Sequence, residues 1–294
     1  MATLRDIRLR IVGVRKTQKI TRAMKMVAAA KLRRAQTAVV AARPYARATR
    51  GLLDHLAATG ELAGHPLVVQ REIRSAALIV VTSDRGLAGP FNANLLRAMA
   101  GHIAAEHAER QAGGKLRIYC VGKKGVDYLT RRRYSLAGKY LGVYSALTFG
   151  TAQSIAREVV NAYGAGEIDR VEIVYNEFKS VAHQKIVIEP YLPLAPAAPA
   201  GGRRQAADYL YEPDRPSIVE ALIPRYLEFE LWRILLESNA AEQGSRMAAM
   251  ENATENANEM ISSLQLSYNK ARQASITKEL LEVVGGAEAL QKGG

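Results

Sequence analysis

A chain of 294 residues with 48% hydrophobic and 23% charged side chains has a globular composition and room for one large or two ordinary domains. Its longest strictly apolar run, Ala76 to Val81, is far below the ~20 residues a membrane-crossing helix needs, so any membrane association is expected to be indirect. The net charge of +13 is concentrated: residues 1 to 50 hold fourteen Lys or Arg against the single acid Asp6, while the remainder balances at 27 basic and 27 acidic side chains.

The N-terminal segment places Leu4, Ile7, Ile11 and Val14 at alternating spacings of three and four, the mark of one helix face. Extending that heptad puts Gln18, Thr21 and Lys25 on the seam, while Ile20, Met24 and Val27 form a displaced stripe, and Ala28, Leu32, Ala35 and Val39 resume the first register. Pro44 is expected to kink or end this helix. The basic, apolar-striped start resembles an organellar transit peptide only superficially, since its helical pattern runs well past residue 30.

The middle of the chain has a different texture. "SAALIVV" reads as a strand, "SDRGLAGPF" as a loop opening a helix, "KLRIYCVG" as a second strand, "AQSIAREVVNAY" as a helix and "DRVEIVYNEF" as a third strand. This βαβ alternation predicts a largely parallel sheet covered by helices. "QKIVIEPYLPL" is a last extended piece, and "APAAPAGGRR" a linker around residues 193 to 204.

Beyond Pro224 there is no proline, and Gly244 is the sole glycine before Gly285 and Gly286, which are expected to stop a C-terminal helix. A heptad drawn from Phe229 passes through Met250, Ala253, Ala257, Met260, Leu264, Ser267, Ala271 and Ala274, a thin and alanine-rich seam. Sixty helical residues at ~1.5 Å each would run about 90 Å, against about 50 Å for the diameter of a globule of this size. The partner expected for so long a striped helix is the other long helix, from the opposite end of the chain, in an antiparallel pair. The fold class predicted is α/β: a long antiparallel coiled coil of the N- and C-terminal helices with a central Rossmann-like α/β domain. The boundaries predicted are residues 1–57 for the first coil helix, 74–192 for the α/β domain, 193–216 for linker and foot, and 217–294 for the second coil helix.

Catalytic and binding chemistry is sparse. Ser83 to Gly89 sits where α/β proteins hold phosphates, but neither it nor "VGKKG" at Val121 to Gly125 carries a dinucleotide or P-loop fingerprint, so both read as structural turns. His102 and His107 are five apart and should diverge on a helix rather than share a metal. Cys120, the one cysteine, lies in an apolar run with no activating base near it in sequence, which excludes an internal disulfide and fits a reducing compartment. No active site, cofactor or metal is expected. The basic first helix could serve a coiled-coil nucleic-acid binder, the alternative function, although Tyr45 is its one aromatic residue and its charges encircle the helix. A nucleotide enzyme with a coiled-coil dimerisation arm is a further alternative.

Several stretches resemble one family closely. "TQKITRAMKMVAAAKLRRAQ" with "RPYA", "SDRGLAGPFNANL", "YLYEPD" and "LQLSYNKARQASITKELLEVVGGAEAL" resemble the γ subunit of the F-type, proton-driven ATP synthase in its bacterial form. The resemblance implies a non-catalytic central rotor stalk: a coiled coil standing in the hexamer of α and β subunits, and a foot on the c-ring beside ε. It further implies a place on the cytoplasmic face of the bacterial inner membrane, with no nucleic acid as partner. By the same resemblance, Met24 and Lys25 match the segment facing the lower part of β, and Arg272, Gln273 and Thr277 match polar positions that meet a loop of β. Tyr209, Tyr211 and Glu212 are expected near ε and the c-ring. Pro90, where relatives often have glycine, should stiffen its loop. A lone cysteine cannot form the redox pair of the chloroplast version.

Overall fold

The apolar run Ala76–Val81 becomes strand β1, with all six residues buried. A computed structural model describes residues 3–62, 64–181, 183–195, 211–212 and 214–292, with side chains described as far as Gly285. In chain order the elements are α1 (Leu4–Ala58), β1, α2 (Phe91–Glu106), α3 (Ala108–Ala112), β2 (Leu116–Val121), α4 (Lys123–Arg131), β3 (Leu136–Tyr140), a short 3-10 turn (Val143–Ser145), α5 (Phe149–Gly164), β4 (Arg170–Phe178), β5 (Gln184–Leu192) and α6 (Arg215–Lys292). The fold is α/β, a Rossmann-like mixed sheet between two long terminal helices.

The chain divides into two compact units, one made of its ends, up to Val27 and from Met247, the other of Ala28–Arg246. In the larger unit the sheet has the order β3-β2-β1-β4-β5, with β1 parallel to β2 and β4, β2 parallel to β3, and β5 antiparallel to β4. Both faces of the sheet are covered, which is why its central strands read as continuous apolar runs rather than alternating ones. Ala77, Ile79, Val81, Ile173 and Tyr175 face α5, α6 and the end of α1. Leu78, Val80, Ile118, Cys120 and Val174 face α2 and α4. Each such fully buried aliphatic side chain contributes about 1.5–3 kcal/mol through removal from water.

Neither of two expected stop signals ends its helix. Pro44 lies inside α1, which continues to Ala58. Its missing N–H and ring cost a helix interior ~3 kcal/mol, and downstream packing offsets this: Leu53 and Leu56 are buried, and the neighbouring Tyr45 ring packs at a tilt on Phe229, centroids 4.4 Å apart. Gly285 and Gly286 do not end α6, which runs to Lys292. A helical glycine costs only about 1 kcal/mol relative to alanine, too little to break a helix by itself.

In the smaller unit, α1 and α6 run antiparallel. Cross-helix contacts join Gln18 to Asn258, Thr21 to Thr254 and Lys25 to Glu251, partners descending as positions ascend. On α1 the strict heptad holds: Ile11 and Thr21 are buried and Leu4, Ile7, Val14 and Gln18 half-buried. Of the displaced stripe, Ile20 and Val27 are 59% and 56% exposed and so face away from α6, while Met24 is half-buried. On α6 the seam is Met250, Thr254, Ala257, Ile261, Leu264, Tyr268, Ala271 and Ser275. Alternate positions are thus one residue beyond those predicted, and Ile261 is buried where Met260 is 46% exposed.

Candidate contact surface

Three polar layers follow one another along the seam of the smaller unit. The Thr21 and Thr254 hydroxyls lie 2.7 Å apart, flanked by the Gln18–Asn258 amide contact and the Lys25–Glu251 ion pair. Gln18, Arg22, Lys25, Glu251, Thr254, Glu255 and Asn258 line a shallow groove of about 350 Å³ there. Hydrophobic adhesion between the helices is low over these layers, and the apolar side chains Ile20, Met26 and Val27 are turned outward instead. Lys25 is thus placed by its acid partner, and Met24 beside it is half-buried.

Farther along α6, Ala271 and Ser275 are half-buried on the seam, whereas Arg272, Gln273 and Thr277 are exposed, as are Lys278 and Glu279. Past them Leu280, Leu281, Val283 and Val284 are each more than half exposed. Exposure does not single out Arg272, Gln273 and Thr277, because from Ala271 to Gly285 every residue of α6 except Ala271 and Ser275 is exposed. Tyr209 lies outside the described residues. Tyr211 packs partly against the larger core cluster, with the Arg215 guanidinium 4.8 Å from its ring centre, and Glu212 is exposed.

The loop after β1 is filled from within. Asp84 accepts hydrogen bonds from the backbone N–H groups of Lys123 (3.1 Å), Gly142 (2.9 Å) and Tyr144 (3.2 Å). Its carboxylate therefore takes up backbone donors at the start of α4, where a helix N-terminus favours an anion. Ser83 and Asn92 bond each other, the Ser245 hydroxyl donates to the Ala88 carbonyl at 2.8 Å, and Arg246 reaches the Gly86 carbonyl at 3.3 Å. Pro90 supplies the N-cap of α2 with φ −82. The loop is a structural turn tied to α6.

The histidines hold a correction. His102 and His107 converge, because the helix breaks at His107 (φ −130) between α2 and α3. Both Nε2 atoms meet one oxygen of Glu172, at 2.7 and 2.8 Å, and Arg170 holds the other at 2.6 Å. Burial pushes the Glu172 carboxyl up, and the hydrogen bonds from His107 and His102 with the charge of Arg170 outweigh it, holding it at about 2. The trio has metal-ligand identity, but its surroundings are wrong for a cation. Arg110 approaches Nδ1 of His107 at 3.4 Å. A guanidinium only donates, so it fixes the proton on Nε2, the atom a metal would require free. With Arg170 adjacent as well, the cluster is a hydrogen-bonded brace for a buried carboxylate. Its sequence signal was the pair of histidines; the helix break that unites them carries no glycine or proline.

Comparison with known proteins gives one consistent result. The family model described as ATP synthase matches residues 3–290. The ATP synthase gamma chain of Chlorobaculum tepidum is 48% identical over 99% of this chain and 100% of its own length, and that of Cytophaga hutchinsonii 47% over 99% of each. Among solved structures, a chain of the Tetrahymena thermophila mitochondrial ATP synthase central stalk and c-ring is similar with TM-score 0.60 and 26% identity, covering 80% of this chain and 99% of that one. A chain of the Euglena gracilis mitochondrial enzyme shares the fold, with TM-score 0.67 and 22% identity over 99% of this chain and 95% of that one.

Proposed function

The chain belongs to the ATP synthase γ-chain family, and on that premise we infer that it is the central rotor stalk subunit of the proton-translocating ATP synthase. It is a non-catalytic subunit; the chemistry belongs to β. The observation that carries the reading is the antiparallel pairing of the two chain ends through polar layers, with outward apolar and polar side chains left for a surrounding partner. Its partners are the α and β subunits, ε and the c-ring.

Function follows from asymmetry. A shaft built from two unlike helices presents a different surface at each angle, so three chemically identical catalytic subunits experience different contacts and adopt different nucleotide affinities. A shaft that touched all three equally would shift nothing. We assign Met24, Lys25, Arg272, Gln273 and Thr277 to the contact with β on resemblance; the last three are exposed, and the Glu251 ion pair positions Lys25. Tyr209, Tyr211 and Glu212 are assigned to ε and the c-ring, on resemblance. The working division is residues 1–57 and 217–294 for the shaft, 74–192 for the α/β domain and 193–216 for the foot.

Among the described residues no helix is long and apolar enough to cross a membrane. The subunit belongs to a membrane-associated enzyme, and we place it on the cytoplasmic face of the bacterial inner membrane. Mild-detergent capture of the tagged chain from its own membranes, with native mass spectrometry and an ATPase assay, tests the function. The expected result is an active assembly with one copy of this chain per three β subunits. Recovery of the chain alone, or with nucleic acid, refutes it.

A further inference from the structure

Ser238 and Glu242 lie one turn apart on α6 and share a face of it. They are 1% and 3% exposed. Beside them stands Tyr144, in the 3-10 turn that follows β3, its phenol within electrostatic reach of Ser238, Glu242 and Asp84. The Tyr144 hydroxyl, Ser238 Oγ and Glu242 Oε2 are sealed from solvent, and among the described residues none of the three has a hydrogen-bond partner. One buried polar atom left unmatched costs about 1–3 kcal/mol. Three gathered at one place call for a guest that matches them.

The surroundings decide what that guest can be. The other Glu242 oxygen, Oε1, accepts from Arg246 at 2.6 Å, and Lys31 on α1 adds a second positive charge nearby. Asp84 is the second acid, already engaged by three backbone N–H groups. Two acids and two cations balance around the site, so neither an anion nor a bare cation is needed to neutralise it. Burial pushes the Tyr144 phenol well up, and it stays a neutral hydroxyl. Burial likewise raises the Glu242 carboxyl against the pull of Arg246. A guest that meets two hydroxyls and a carboxyl in either charge state is small, neutral, and both donates and accepts.

We propose that one internal water molecule is bound here by the Tyr144 hydroxyl, Ser238 Oγ and Glu242 Oε2, and that it joins the turn after β3 to α6. About three hydrogen bonds are what a buried water ordinarily makes. A bridging water holds two groups nearly as firmly as a direct bond. The loop after β1 is fastened to the next turn of the same helix without solvent, through Ser245 to the Ala88 carbonyl and Arg246 to the Gly86 carbonyl. Asp84 links the two loops, since it accepts from Gly142 and Tyr144. This stretch of α6 is thus tied to one loop by direct bonds and to the other through water.

Oxygen-17 magnetic relaxation dispersion, which detects long-lived internal waters, is measured on the full chain and on Y144F/S238A after thermal melts establish that both fold. The expected result is a dispersion amplitude lower in the variant by the contribution of one water molecule. Equal amplitudes overturn the proposal. Cryo-electron microscopy of the assembly captured through a tag on this chain, at a resolution that shows ordered water, supplies a reading that needs no variant. A peak about 2.7–3.0 Å from the three oxygens is expected. Contacts of about 2.3–2.6 Å from all three would make the guest a metal cation, and direct bonds among the three groups with no peak between them would leave no guest at all. Either result overturns the proposal.

Discussion

Thr21 and Thr254 meet hydroxyl to hydroxyl across the helix seam at 2.7 Å, at positions where a coiled coil ordinarily places leucine or isoleucine. Each hydroxyl also lies near a carbonyl of its own helix, Gln18 for Thr21 and Met250 for Thr254. Neither therefore depends on the other for a partner. Replacing both by valine keeps the shape and removes two polar groups, so T21V/T254V should leave the chain's stability unchanged or raise it by about 0.5–1.5 kcal/mol. Chemical denaturation measures this; a loss above ~1 kcal/mol would show that the pair supports the seam more than its geometry implies.

Asp84 satisfies three backbone N–H groups from two separate segments. Asp84→Ala should cost roughly 2–4 kcal/mol, since the donors lose a charged acceptor. Inorganic phosphate added to the variant offers a diagnostic. Partial restoration of the melting temperature by phosphate, absent in the parent, is expected if the carboxylate fills an anion position.

Glu172 predicts the acid behaviour of the α/β unit. Its carboxyl is held at about 2 against an ordinary value of 4.5. A depressed carboxylate stabilises the fold fully above its unfolded value and loses that contribution as pH falls through the folded one. The loss should therefore fall between about pH 4.5 and pH 2 and amount to about 3 kcal/mol. Comparing the parent with Glu172→Gln by denaturant titration along that range tests it, since the variant should show a flatter pH dependence.

Burial pushes the Cys120 thiol up to about 12. The native chain should resist iodoacetamide at neutral pH and react stoichiometrically only in denaturant. Rapid native labelling, read by intact-mass spectrometry, would contradict the burial of β2.

Arg272, Gln273 and Thr277 are exposed. Alanine at each should shift the isolated chain's stability by less than about 0.5 kcal/mol, while ATP turnover of the assembled enzyme falls severalfold if they meet β. Unchanged turnover in the triple variant would remove them from that contact.

The extent to which the fold was legible differs from element to element. β1 and β2 were plain because doubly covered strands are unbroken apolar runs. β3, "LAGKY", went unread because an edge strand with a glycine and a lysine has neither run nor alternation. The α1 seam was legible in its strict heptad even where it turned polar, and the apolar Ile20 and Val27 were misleading because apolar character there is directed outward. For α6 the phase drawn from Phe229 held at Ala257, Leu264 and Ala271 and slipped by one at the alternate positions, where alanines occupy both seam and flank and leave little contrast. The histidine brace was invisible because five-residue spacing implies divergence only while the helix lasts. Tyr211 and Glu212 are assigned by motif alone, with no signal from periodicity or charge to single them out.

The end of α6 has a consequence for the life of the chain in the cell. From Ile276 to Val284, five large apolar side chains are about half exposed or more. A copy made in excess of its partners displays this face continuously, and exposed apolar helix is what chaperones and proteases engage. Chain made in excess of the surfaces that would bury this tip is therefore expected to turn over faster than assembled chain, which pulse-chase labelling measures.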